Sequence, residues 1–156
     1  MLSIIKMDKL NWSILRVLQE NSRLSFAEIG RQVGLSAPAV AERVQKMEEA
    51  GIIKDYGISL DLGKLGYTLQ ALISFKAHAG KLHRFLELLQ QMPEVRECYR
   101  VTGNYCLLMK VAVKEAQDLE QLINIFVEYG EPTTSVILSN PVSSKPIFSQ
   151  SALTKV

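Results

Sequence analysis

The sequence predicts an α+β chain in two parts, helices first and then a sheet that carries two further helices. Three observations support this. Apolar residues recur at helical spacing before residue 50, and a nearly unbroken alternation runs from 67 to 79. Between them Leu62-Gly-Lys-Leu-Gly66 holds two glycines and reads as a connector.

The stretch Ser36 to Ile53 organises the first part. Ser36 can cap free backbone N–H groups, and Pro38 suits a first turn where its missing N–H costs nothing. Val40, Val44 and Met47 mark one buried stripe, and Gly51 ends the helix. Pro38, Glu42, Gln45, Lys46 and Glu49 fall on the opposite face, with Ala39 and Arg43 on its flanks. Ahead of it, Ser25-Phe-Ala-Glu28 is a capping box, Ile29 and Val33 give a short apolar face, and Gly34 closes a second helix. Two short helices meeting at a tight glycine-containing turn form a helix-turn-helix whose second member reads DNA. Asp8 caps a helix before these, running to about Glu20 with Leu10, Ile14, Val17 and Leu18 on one side. Trp12 lies off that side, and the sequence leaves open whether it is half-exposed or covers a neighbouring chain.

After Gly51, the β-branched run Ile52 to Asp61 predicts an extended segment with a bend at Asp55–Gly57, compatible with a winged-helix-like arrangement. The domains are therefore expected at 1–60 and 67–140, joined by a linker at 61–66 and followed by a tail at 141–156. Tyr67, Leu69, Ala71, Ile73, Phe75 and Ala77 share one face of a long strand, while Leu72 lands among polar residues on the other. Leu82, Phe85, Leu86 and Leu89 mark a helix that Pro93 halts. Val95–Thr102 and Tyr105–Lys114 read as two strands joined at Gly103-Asn104. A helix follows over Glu115–Tyr129, closed by Gly130, and a last strand over Thr133–Leu138. Pro141 and Pro146 leave the tail loosely ordered or leaning on a partner. Strand, helix, strand, strand, helix, strand is the ferredoxin-like βαββαβ order, with both helices on one side of the sheet. The apolar members of the open face then predict dimerisation, sheet to sheet.

Composition narrows the function. An apolar fraction of 47% supplies a core for 156 residues. There is no apolar run long enough to cross a membrane, and Met1 to Asp8 is too short and too soon charged for a signal peptide, so a cytoplasmic, nucleoid-associated protein is expected. Residues 1–60 hold eight Lys/Arg against seven Asp/Glu, so any grip on DNA must come from local charge or from several copies acting together. Cys98 and Cys106 flank the Gly103 turn without metal-ligand spacing to His78 or His83, which leaves a redox role as a side reading. With no nucleophile set, phosphate loop or metal cluster, neither an enzyme nor a cofactor is expected.

The residues Met7-Asp8…Ile14-Leu15, Asn21-Ser-Arg23-Leu-Ser25, Val33-Gly-Leu-Ser36, Arg43-Val44, Gly51-Ile-Ile53, Leu65-Gly66 and Val101-Thr-Gly103…Leu107-Leu108 together carry a resemblance. In this order, over roughly residues 7 to 140, the chain resembles the leucine-responsive regulatory protein/AsnC family of transcription regulators. The resemblance implies double-stranded DNA as partner, a homodimer assembling toward a tetramer of dimers, and a small effector, usually an amino acid, held between dimers. On DNA, Arg23, Ser25, Ser36, Ala37, Pro38, Ala39, Glu42, Arg43, Gln45, Lys46 and Lys54 are the candidate contacts, Arg43 foremost. For the effector, Thr102, Gly103, Asn104, Tyr105, Cys106, Thr133 and Thr134 are the candidates. The family often reads Thr-Gly-Asp-x-Asp in that loop, whereas here Asn104 and Cys106 stand at the acidic positions. Either the effector differs, or other groups hold it, or there is none and the protein is architectural, wrapping or bridging DNA. Asn11 also replaces a common Asp, a change expected to matter little.

Overall fold

The computed structural model describes residues 6–148. The chain divides into two compact units, with boundaries at Ile58/Ser59 and Pro141/Val142.

The first unit is built on α1 (Lys9–Glu20), α2 (Phe26–Val33) and α3 (Ala37–Glu49). Each helix starts on a side-chain cap. The Asp8 carboxylate accepts from Asn11 N–H at 2.8 Å, Ser25 and Glu28 form a reciprocal capping box, and Ser36 Oγ accepts from Ala39 N–H. At its far end α3 closes through a Schellman motif, in which Ile52 N–H donates to Met47 O and Gly51 N–H to Glu48 O. Gly51 takes φ +70° to make that closure. Ile14, Val17, Leu18, Ile29, Val40, Val44 and Met47 form the core between the helices. The expected extended run from Ile52 is in no sheet, because no strand of the described residues pairs with it, and Tyr56, Ile58 and Leu60 remain exposed. Of the tail, Val142–Phe148 belongs to this unit, where Ile147 N–H donates to Gln19 Oε1 at 2.8 Å and Gln19 Nε2 donates back to Ile147 O at 3.2 Å. The segment carries no helix or strand, and residues 149–156 of the expected tail lie outside the described residues.

Near the start of the second unit the expected connector is coiled into a hydrogen-bonded turn, with Tyr67 N–H donating to Leu62 O at 2.9 Å. It continues with β1 (Leu69–Ala77), α4 (Leu82–Leu89), β2 (Val95–Arg100), β3 (Leu107–Val113), α5 (Ala116–Val127) and β4 (Gly130–Val136). The antiparallel sheet has the order β2-β3-β1-β4, as the ferredoxin-like arrangement requires. Ala71, Ile73 and Phe75 of β1 and Leu107, Met109, Val111 and Val113 of β3 face one side, where α4 and α5 cover them through Phe85, Leu89, Leu122 and Phe126. Phe85 stacks on Phe75 at 4.2 Å between ring centroids and meets Phe126 edge-on at 5.0 Å. On the uncovered face Leu72 is 39% exposed.

Strand β4 starts three residues earlier than its sequence suggests. Gly130 does not close a helix but pairs with Ala77, so near to β1 that a Cβ there would meet Lys76 O at 2.3 Å and Phe75 Cζ at 2.5 Å. Only a residue without a side chain fits that approach.

Candidate nucleic-acid interface and effector loop

In the first unit, α2 and α3 meet at a turn closed by Leu35 N–H donating to Gly30 O at 2.9 Å, with Gly34 at φ +73°. Gly30 itself is packed so tightly that a Cβ would stand 2.4 Å from Leu35 O, a requirement invisible in the apolar pattern. This turn sets the angle at which α3 leaves, with Ser36 and Pro38 exposed and Ala37 and Ala39 half-exposed at its leading end. No side chain longer than proline stands on that first turn, so a groove edge can approach the backbone closely.

The longer candidates on α3 are already paired. Lys46 Nζ lies 2.6 Å from Glu42 Oε1, and Gln45 Nε2 donates to Glu49 Oε1 at 2.8 Å. Both are exposed i,i+4 pairs, screened by solvent and easily exchanged for a phosphate. Pairing with Lys46 holds the Glu42 carboxyl below its ordinary pKa. Arg23 and Lys54 are exposed and make no ion pair among the described residues. Ser25 spends its hydroxyl and its N–H on Glu28, so its place is in the cap of α2.

Arg43, the foremost candidate on α3, is engaged within the protein. Its Nη1 donates to Asp8 Oδ2 at 2.8 Å and to Asn11 Oδ1 at 2.8 Å, which turns the guanidinium away from the outward face and onto α1. Asn11 is only 3% exposed, and its Nδ2 donates in turn to Lys6 O at 3.2 Å. The expectation that Asn11 matters little is therefore corrected: it is the buried polar centre joining the start of α1 to the middle of α3. Asp8 has its carboxyl held below the usual value first by the Asn11 backbone N–H and then by Arg43.

In the second unit, Val101 to Cys106 turn between β2 and β3, with Gly103 at φ +107° and open space where a Cβ would stand. Val101 N–H donates to Cys106 O at 3.1 Å and Cys106 N–H to Phe75 O at 2.9 Å, anchoring both ends. The backbone N–H groups of Thr102, Gly103, Asn104 and Tyr105 find no acceptor among the described residues. Beneath them is an open cavity of about 570 Å³, lined by this loop together with Lys76, Ala77, His78 and Leu82. Thr133 and Thr134 do not line it; they sit on β4 opposite Ser74 and Ile73, on opposite faces of the sheet. Cys106 lines it, but its Sγ accepts from Ala77 N–H and donates to Phe75 O, both at 3.3 Å, so the thiol is tied to the end of β1. The other thiol, Cys98, is pushed up in pKa by the packing around its sulfur and then by Cys106, which leaves less of the reactive thiolate.

A capped helix-turn-helix with a bare leading turn, followed by a sheet domain with a polar loop over a cavity, defines a DNA-binding transcriptional regulator with a ligand-binding domain. The chain belongs to the Lrp/AsnC family. Residues 7–48 match the AsnC-type helix-turn-helix domain, and residues 70–147 match the Lrp/AsnC ligand binding domain. It is 34% identical to the transcriptional regulator LrpC of Bacillus subtilis over 86% of this chain and 94% of that one. The solved structure of LrpC superposes with a TM-score of 0.86 at 33% identity, covering 90% of this chain and all of LrpC. AsnC of Escherichia coli gives a TM-score of 0.80 at 29% identity over 90% of this chain and 98% of AsnC. Among the described residues no helix is long and apolar enough to cross a membrane.

Proposed function

We propose that the chain regulates transcription from the cytoplasm, near the nucleoid and without catalytic activity. It acts as a homodimer or a tetramer of dimers that presents several copies of α3 to double-stranded DNA. The observation that carries this reading is the leading turn of α3, Ser36 to Ala39, capped, small and outward. Arg23, Lys54 and, once released from Glu42, Lys46 supply phosphate contacts around it; Arg43 holds α3 in position instead of touching DNA. Multiplication of the reading head answers the thin charge balance of the first 60 residues, since linked weak sites bind with the product of their effects. The open sheet face with Leu72 supports assembly between copies. Light scattering reads that assembly, and a lone monomer at working concentration would contradict it.

Replacement of Pro38 by glutamate tests the DNA interface. An acid in the first turn suits the positive end of the helix, so α3 stays folded, while the new charge faces the phosphates. Pro38→Glu is expected to weaken binding to duplex DNA at low ionic strength at least tenfold in gel-shift titration, with an unchanged melting temperature. Undiminished binding would remove α3 from the interface. The match to a ligand-binding domain supports an effector site in the second unit, for which the cavity beneath Thr102–Tyr105 is the candidate.

A further inference from the structure

Among the described residues the chain passes between the two units twice, once after Ile58 and again after Pro141, so that Val142–Phe148 returns to the unit holding α1 to α3. Its seat there is one side chain of α1. Gln19 Oε1 accepts from Ile147 N–H at 2.8 Å, and Gln19 Nε2 donates to Ile147 O at 3.2 Å and to Leu15 O at 3.2 Å. The amide thus meets both backbone groups of one residue, as a neighbouring strand would, while its other N–H steadies it against its own helix. A primary amide offers an acceptor and two donors side by side, whereas a glutamate cannot donate and a lysine cannot accept. Seating does not depend on the segment's side chains, since Ile147 is 71% exposed and Phe148 42%. Pro141 precedes the segment and Pro146 adjoins Ile147, and a fixed φ at both narrows the paths the backbone can take.

Helix α1 carries another long-range attachment at its opposite end, where Asp8 and Asn11 accept from Arg43 of α3. The segment itself runs on from β4, whose pairing with β1 continues through Ile137 N–H donating to Gln70 O at 2.9 Å. A chain of bonded groups therefore leads from β4 through Gln19 and α1 to α3. We infer that Val142–Phe148 is a strap, clasped by Gln19, which gives the reading head a second tether to the sheet-bearing unit and limits how freely α3 swings. A head on one flexible connector samples many orientations, and a head held at two points samples fewer. The copies of α3 in an assembly then reach neighbouring stretches of one duplex at a higher effective concentration. The inference rests on the reading that several copies of α3 act together, and adds what orients them. Two exposed hydrogen bonds are weak enough to open, so the clasp releases without either unit unfolding.

The test compares the native full-length chain with Gln19→Ala, which removes the clasp at an exposed helix position, and with Ile147→Pro, which removes the donor on the other side. Each is titrated in gel shift at low ionic strength against a short duplex of about one helical turn and a long one of about six turns. Both variants are expected to bind the long duplex weaker by roughly threefold or more, while affinity for the short one, melting temperature and sedimentation coefficient keep their native values. Amide exchange gives a direct check, because the Ile147 N–H should be protected in the native chain and lose that protection in Gln19→Ala. Equal losses on both duplexes would mean that Gln19 acts inside the head, and a lowered sedimentation coefficient would make the segment an assembly contact; either result overturns the strap. Native affinity of both variants on both duplexes would overturn it too, with the multi-copy reading left standing. If the native chain gains nothing per site on the long duplex, that reading itself falls, and this inference with it.

Discussion

Removal of the Arg43 guanidinium is the sharpest probe of how α3 is held. Arg43→Ala breaks two bonds of 2.8 Å made by the same nitrogen. The bond to Asp8 joins side chains 29% and 43% exposed, so solvent screens it to roughly 0.2–1 kcal/mol. The bond to Asn11 weighs more. Its oxygen belongs to a residue 3% exposed and loses its only side-chain donor, a loss of roughly 1–3 kcal/mol for a buried acceptor left without a partner. Together they predict about 2 kcal/mol of destabilisation of the first unit, most of it through Asn11. The assay is urea unfolding followed by the fluorescence of Trp12, the single tryptophan, which sits on α1 next to Asn11. In a double-mutant cycle the coupling of Arg43 to Asn11→Ala should exceed its coupling to Asp8→Ala. A midpoint corresponding to less than about 0.5 kcal/mol of change, accompanied by a large drop in DNA affinity, would refute this reasoning and return Arg43 to the DNA.

Two further outcomes are expected. Leu72→Glu, on the open sheet face, should weaken self-association at least tenfold in sedimentation, because it would put an unpaired carboxylate into the apolar contact; an unchanged dimer would place the interface elsewhere. Acid should loosen the first unit. Asp8, through Asn11 N–H and then Arg43, and Glu28, through the Ser25 hydroxyl and N–H, both have folded pKa values below their unfolded ones. Their stabilisation is complete above the ordinary carboxylate range, near pH 4–5, and is lost as pH falls through the lower folded values. Trp12-detected stability should therefore decline below about pH 4.5, and less so in Asp8→Asn with Glu28→Gln. An identical acid profile in the double variant would deny these carboxylates that role.

Much of the fold is local chemistry, and local chemistry is legible along a chain. Asp8, Ser25 and Ser36 cap the helices they were expected to cap, because a hydroxyl or carboxylate reaches N–H groups two or three residues ahead with no help from elsewhere. Strand β1 and helix α4 follow from periods of two and 3.6, since one buried face selects them. Leu72, an apolar residue on the polar side of the alternation, hinted at a covered face, and it lies 39% exposed on the side of the sheet that no helix packs against.

What the chain alone could not settle depends on groups far apart in sequence. Arg43 stood on a flank of the outward face, where a long side chain has two ways to turn, and its partners lie 35 and 32 residues away. Asn11 read as a neutral exchange until burial made its oxygen irreplaceable. Gly30 and Gly130 are required by the approach of another backbone, which no local signal records, and Gly130 was taken for a helix end because local rules offered that explanation first. In the loop, Cys106 was identified as a departure, but only the fold tied its sulfur to Phe75 and Ala77 and brought Lys76 and His78 to the lining of the same cavity. Composition and spacing determined which elements form and roughly where they stop. Tertiary contact alone decided which polar groups are spent inside the protein and which are left for a ligand or for DNA, because that depends on desolvation and on distance through space.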